Sequence, residues 1–124
     1  MELTQFKKPS NIWTQKEFLL EFSMIENLVK IIRNKKKASP NKSYTSQLFL
    51  GGKTVCLEKL EEEFQELKEA LRNNENEIHE AADVIYHLLV TLEAANIKYE
   101  DVLKELKKRQ IRSGLEEKES RKLK

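Results

Sequence analysis

Residues 81–92 read AADVIYHLLVTL, and Asp83 is the only formal charge among them. A helix that is apolar on every side cannot lie on a surface; it has to be covered by neighbours around most of its circumference. An ionised carboxylate in such company is rarely taken out of water unless it is paired or coordinates a cation. Asp83 therefore calls for a positive partner, and the chain around it has to be a bundle in which this segment is central.

The flanking sequence supplies matching neighbours. Phe18, Phe22, Ile25, Val29 and Ile32 recur three and four apart, which predicts a helix over about 14–36 that ends before Pro40. Leu57, Leu60, Phe64, Leu67 and Leu71 predict a second helix over about 54–71 with a regular buried seam, closed by Asn73 and Asn74. In the third, about 75–95, Ile78, Ala82, Ile85, Leu89 and Leu92 share a face, while Val84, Tyr86 and Val90 fill much of the remainder. The fourth, about 99–112, opens on Glu100 and Asp101 and closes on Lys107, Lys108 and Arg109, in the sense the helix dipole favours. Strands and tight turns would ask for more than three Gly and two Pro in 124 residues. The stretch 38–52, with Pro40, Asn41, Ser43, Gly51 and Gly52, reads as a connection in which Tyr44, Leu48 and Phe49 pack as a short turn. The expected architecture is all-α: a four-helix-type bundle over 22–112, preceded by an extension, 1–21, that holds Trp13, and followed by a charged tail, 113–124.

Charge is distributed unevenly. Residues 1–56 carry ten Lys or Arg against four acids, residues 57–83 three against ten, and residues 98–124 ten against six. The acidic middle carries the chemistry, because basic runs such as Lys35–Lys37 lack the interleaved aromatics or reading motif that nucleic-acid binding needs. Cys56 has no second cysteine to bond with, the N-terminus lacks a signal-peptide apolar stretch, and no apolar run reaches the roughly 20 residues of a membrane helix. A cytoplasmic protein without membrane or nucleic-acid partners is expected.

Within the acidic middle, Glu63 with Glu66 and Glu80 with Asp83 form two i, i+3 carboxylate pairs on consecutive helices. Antiparallel helices joined by a short turn would bring these pairs into one small volume, where they repel one another unless a cation is present. All-oxygen ligands favour a hard divalent ion, and Mg²⁺ typically keeps positions open for water and substrate phosphate. Glu62, Glu63 and Glu66 alone would read as a solvated acidic face; Glu80 and Asp83 on an apolar helix shift the balance. A di-iron bundle would need Glu-x-x-His pairs, and the residues three before His79 and His87 are Asn76 and Val84. His87 then reads as a hydrogen-bonded histidine near the core and His79 as a surface residue. No P-loop, dinucleotide fingerprint or Ser/His/Asp arrangement is present.

The order Ser43-Tyr44-Thr45, Gly51 or Gly52, Lys59 with Glu62-Glu63-x-x-Glu66, Glu80-x-x-Asp83 with Tyr86-His87, then Asp101-Val102 and Glu105-Leu106 ahead of Arg109 resembles the phosphoribosyl-ATP pyrophosphatases of histidine biosynthesis. The resemblance covers roughly residues 22–110. Its paired carboxylates are shared with the wider MazG-type nucleotide pyrophosphohydrolases, while the Ser-Tyr-Thr stretch and the Tyr-His pair point to the narrower family. The resemblance implies an all-α homodimer that hydrolyses phosphoribosyl-ATP to phosphoribosyl-AMP and pyrophosphate with Mg²⁺. By position it implies Glu63, Glu66, Glu80 and Asp83 as metal ligands, Glu62 for orienting or deprotonating the attacking water, and Lys59 for a phosphate oxygen. Ser43, Tyr44 and Thr45 would contact substrate through hydroxyls or backbone N–H groups. Two positions depart from the pattern: Glu61 stands where a Gly commonly precedes the Glu-Glu pair, and Phe64 where a small residue commonly follows it. They leave two alternatives beside the histidine-pathway enzyme: a MazG-like pyrophosphohydrolase that clears nucleoside triphosphates, and a helical interaction module without activity.

Overall fold

The computed structural model describes residues 15–39, 41, 43–111 and 121, and within these the side chains of 15–23 and 111 are not described. Trp13, Phe18, Phe22, most of the expected N-terminal extension and most of the expected tail fall outside that description. Among the described residues there are four helices and no strand: α1 (Gln15–Lys36), α2 (Tyr44–Asn73), α3 (Glu77–Ala94) and α4 (Tyr99–Ile111). The expected all-α architecture is the one that forms. Helices α2 and α3 make the principal pair, α1 lies over both, and α4 meets chiefly α3. None of these helices is long and apolar enough to cross a membrane.

Helix α2 begins at Tyr44 rather than near Thr54, so the stretch read as a connection is mostly helix. Ser43 explains the start. It sits in extended backbone at φ −162, ψ 155, and its Oγ accepts the N–H of Ser46 at 2.9 Å, which satisfies one of the free donors of the first turn. Ser46 in turn donates from Oγ to the Lys35 carbonyl at 3.0 Å, tying this start to the end of α1. Gly52, at φ 79 and ψ −172, turns the chain between the short first leg and the long second one. Only glycine holds that conformation cheaply. Gly52→Ala meets no atom within 4 Å of the new Cβ, so its cost is backbone strain alone. Urea unfolding should show a loss of about 1–2 kcal/mol; an unchanged midpoint would mean that the kink relaxes.

The remaining boundaries follow local chemistry. Asn74 closes α2 in the left-handed region at φ 54, and its N–H donates to the Ala70 carbonyl. Asn76 and Asn96 take the same region, at φ 61 and φ 60, before and after α3. Asparagine tolerates this conformation better than other side chains bearing a Cβ.

The core comprises Val29, Ile32, Leu48, Cys56, Leu89 and Val90, with Ile25, Phe49, Val55, Tyr86 and Tyr99 packed around it. Leu48 belongs to the first leg of α2, which makes that leg part of the core. Helix α3 is central as expected, since it packs on all three other helices. It is not covered all round. Ile78, Ile85 and Leu88 remain 88%, 50% and 42% exposed, and on α2 Leu57, Phe64 and Leu71 remain 50%, 49% and 58% exposed. The α2 seam expected to be buried therefore faces outward at three of its five positions, because α1 covers only one side of the α2–α3 pair. Leu57, Phe64 and Leu71 on α2, and Ile78 and Ile85 on α3, each step by seven within their own helix, the spacing that keeps apolar residues on one helical stripe.

At the opposite end Arg33 joins three helices. Its Nε meets Glu93 Oε1 at 3.1 Å, and Nη2 and Nη1 hold the two Glu100 oxygens at 2.7 and 3.2 Å. The hydrogen-bonded guanidinium pulls the Glu100 carboxyl down to about 2 from 4.5. A depressed acid contributes stability that is present above its unfolded value and lost as pH falls through its folded one. Arg33→Met should therefore lie below the wild type in thermal midpoint at neutral pH, with the gap closing between pH 4.5 and about 2. A gap that stays constant with pH would reject the pairing.

Candidate active site

Helices α2 and α3 run antiparallel from the tight turn at Asn74–Asn76, so the carboxylate pairs face one another across their contact. Glu63, Glu66 and Glu80 converge: one oxygen of each lies within 4.8 Å of the others. Glu80 Oε1 is buried without a hydrogen-bond partner among the described residues. Burial, and next the charge of Glu66, pushes the Glu63 carboxyl above its ordinary value. Three acids that crowd one another, one with an orphaned buried oxygen, form an all-oxygen donor set suited to a hard divalent cation. A cavity of about 280 Å³ opens beside them, lined by Glu66, Glu69, Asn73, Glu75, Asn76 and Glu80. A larger hollow of about 540 Å³ around Arg33, Glu93, Glu100 and Lys104 lies away from these acids, and its walls are largely paired to one another.

Asp83 stands beside this trio rather than within it. Its charge adds a little to the upward push on the Glu63 carboxyl, and its Oδ2 lies 3.3 Å from His79 Nε2 one turn earlier. The side chain is one methylene shorter than glutamate and is drawn toward His79. Asp83 is not taken out of water, its side chain being 35% exposed, and the polar group beside it is His79, a surface histidine as expected.

Lys59 and Glu62 are one turn apart on α2, with Lys59 Nζ donating to Glu62 Oε1 at 3.3 Å. Both are partly exposed, at 38% and 56% of their side chains. Of the Ser-Tyr-Thr stretch, Ser43 uses its hydroxyl as the α2 cap, and Thr45, 2% exposed, is hydrogen-bonded to the Tyr86 hydroxyl. Tyr44 alone presents a side chain outward, at 51% exposure. Burial pushes its phenol up, and its hydroxyl lies 3.2 Å from His87 Nε2. Glu61 is exposed, and Phe64 lies on the outer apolar stripe rather than in the core.

The sequence profile of phosphoribosyl-ATP pyrophosphohydrolases matches residues 25–110, which span every candidate site residue. The chain belongs to the phosphoribosyl-ATP pyrophosphohydrolase family. Proteins named phosphoribosyl-ATP pyrophosphatase bear this out. The one from Rhizobium etli is 42% identical over 99 residues, covering 78% of this chain and 92% of its own length. The one from Roseobacter denitrificans is 42% identical over 99 residues, 78% and 94%. The one from Paracoccus denitrificans is 43% identical over 100 residues, 79% and 93%. As a member of the phosphoribosyl-ATP pyrophosphohydrolase family the chain is a hydrolase.

Two residues of this site had no assigned part in the sequence. His87 was legible as a hydrogen-bonded histidine near the core, and it is one, 7% exposed, but its partner Tyr44 and the partner of Tyr86, Thr45, lie 43 and 41 positions away. No local spacing announces such a pairing.

Proposed function

We propose that this chain hydrolyses phosphoribosyl-ATP to phosphoribosyl-AMP and pyrophosphate, the second step of histidine biosynthesis, as a Mg²⁺-dependent homodimer in the cytoplasm. The convergence of Glu63, Glu66 and Glu80 around an orphaned buried oxygen, in a chain of this family, supports the reading most directly. Those three, with Asp83 adjoining, would hold the ion. When bound, it supplies neutralisation of charge along the phosphate chain.

The protein's own groups take the remaining work. Glu62 Oε1 is engaged by Lys59, which leaves Oε2 as the oxygen to orient a water and take its proton. The water oxygen joins the phosphorus attached to the ribose, the bond from that phosphorus to the leaving pyrophosphate breaks, and the proton passes to Glu62. Lys59 carries hydrogens beyond the one given to Glu62, and these meet a phosphate oxygen. Ser43 and Thr45 serve by holding the first leg of α2, and Tyr44 by facing the substrate.

The exposed apolar positions Leu57, Phe64 and Leu71 on α2 and Ile78 and Ile85 on α3 support the homodimer, since so many large apolar side chains on two packed helices are seldom left to water. The test of the activity is to offer purified protein with Mg²⁺ phosphoribosyl-ATP and a panel of nucleoside triphosphates, reading pyrophosphate. Release from phosphoribosyl-ATP alone is expected. Release only from triphosphates would make this a triphosphate-clearing relative, and no release from a folded sample would leave an interaction module.

A further inference from the structure

His87 is held on every side. Its Nδ1 is 2.9 Å from the main-chain oxygen of Asp83, its own carbonyl accepts from Thr91 Oγ1 at 2.7 Å, and only 7% of the residue is exposed. Tyr44 and Tyr86 approach its ring edge-on, with centroids at 6.0 and 5.9 Å and interplanar angles of 71° and 77°. The Asp83 oxygen is a carbonyl and can only accept, so Nδ1 carries the hydrogen, and in the neutral ring Nε2 is left as a lone pair. The Tyr44 hydroxyl lies 3.2 Å from that nitrogen. Its single hydrogen is therefore given to His87, and what it turns toward the site is lone pairs.

We infer that His87 is a positioning residue, which fixes the Tyr44 hydroxyl as a hydrogen-bond acceptor at the mouth of the carboxylate site for a ribose hydroxyl of the nucleotide. Phosphate oxygens are themselves acceptors and gain nothing from such a group. The nearest donor-bearing unit to a phosphate chain is the ribose attached to it, and the Tyr44 hydroxyl is tied through His87 to the main-chain oxygen of Asp83, one turn of α3 from Glu80 among the acids that would receive that chain. A phenol keeps its hydrogen at neutral pH, and burial pushes this one further the same way. The neighbouring clasp of Thr45 on Tyr86 holds the same leg of α2 against α3.

This inference rests on the nucleotide reading above, and its test separates the two. Tyr44→Phe and His87→Gln should each lower kcat/KM for phosphoribosyl-ATP about tenfold, with the double variant no worse than either. Effects that multiply to about a hundredfold would overturn the action of His87 through Tyr44. The wild type should favour the ribose substrate over one of its 2′- or 3′-deoxy forms, and Tyr44→Phe should erase that preference; a preference that survives would reject the ribose contact. Should His87→Gln fail to fold, nitrogen NMR of the wild-type histidines decides the geometry. His87 is expected protonated at Nδ1 with a pyridine-type Nε2 whose resonance moves in Tyr44→Phe, and a hydrogen found on Nε2 instead would overturn the assignment. A wild type that releases no pyrophosphate from phosphoribosyl-ATP would sink the functional reading on its own, and the tautomer measurement does not depend on it.

Discussion

Glu80→Gln will lose pyrophosphate release from phosphoribosyl-ATP by more than about a hundredfold, because Glu80 is a proposed metal ligand and removing a ligand should exceed the effect of removing a group that only orients one. The fold should survive. Glu80 contributes a buried oxygen that has no protein partner, and its charge adds to a cluster whose members already crowd one another. In EDTA the variant should therefore melt no lower than the wild type. The difference should appear on adding Mg²⁺, which raises the wild-type midpoint by mass action and the variant's by much less. Glu63 sharpens the sign. Its carboxyl is raised by burial and by Glu66, so without a cation its share of stability is present at low pH and lost as pH rises through its folded value. Mg²⁺ should thus stabilise the protein most at neutral pH and least in acid. Full activity in Glu80→Gln, or a Mg²⁺ response equal to wild type, would remove the trio from the mechanism.

The second large effect concerns association. Phe64→Glu combined with Ile85→Glu places two carboxylates per copy at exposed apolar positions, and each unpaired charge buried in an apolar contact costs several kcal/mol. Light scattering across a dilution series should find the wild type at twice its chain mass and the double variant at the mass of one chain. Neither residue belongs to the converging acids, and circular dichroism should report the same helix content. A double variant that remains dimeric would move the interface elsewhere, and a monomeric wild type would dismiss it.

What could be read in the sequence was what is local. The step from Leu57 to Leu71, the closing asparagines and the two carboxylate pairs are set by neighbours within one or two turns, so local pattern was enough to find the four helices, α2 without its first leg, and the acids. The first leg of α2 was missed because Gly51 and Gly52, behind Ser and Pro, look like a turn. The leg is helical through a cap at Ser43 and through Leu48 being 4% exposed, and that burial depends on α1 and α3. The outward aspect of Leu57, Phe64 and Leu71 was hidden for a related reason: a seam shows which residues share a face, but not what covers it. Tyr44 with His87 and Thr45 with Tyr86 lie beyond any local rule.

The turn at Asn74–Asn76 bears on how the molecule comes together. Glu63, Glu66 and Glu80 all lie on the two helices it joins, so the acids meet as soon as that hairpin closes, a short loop with little entropy to surrender. Arg33 spans separations of 60 and 67 residues to Glu93 and Glu100 and can be satisfied only after α1, α3 and α4 have all arrived. The converging acids thus sit across the cheapest closure in the chain, whereas the ion pairs of Arg33 need three helices drawn from distant sequence.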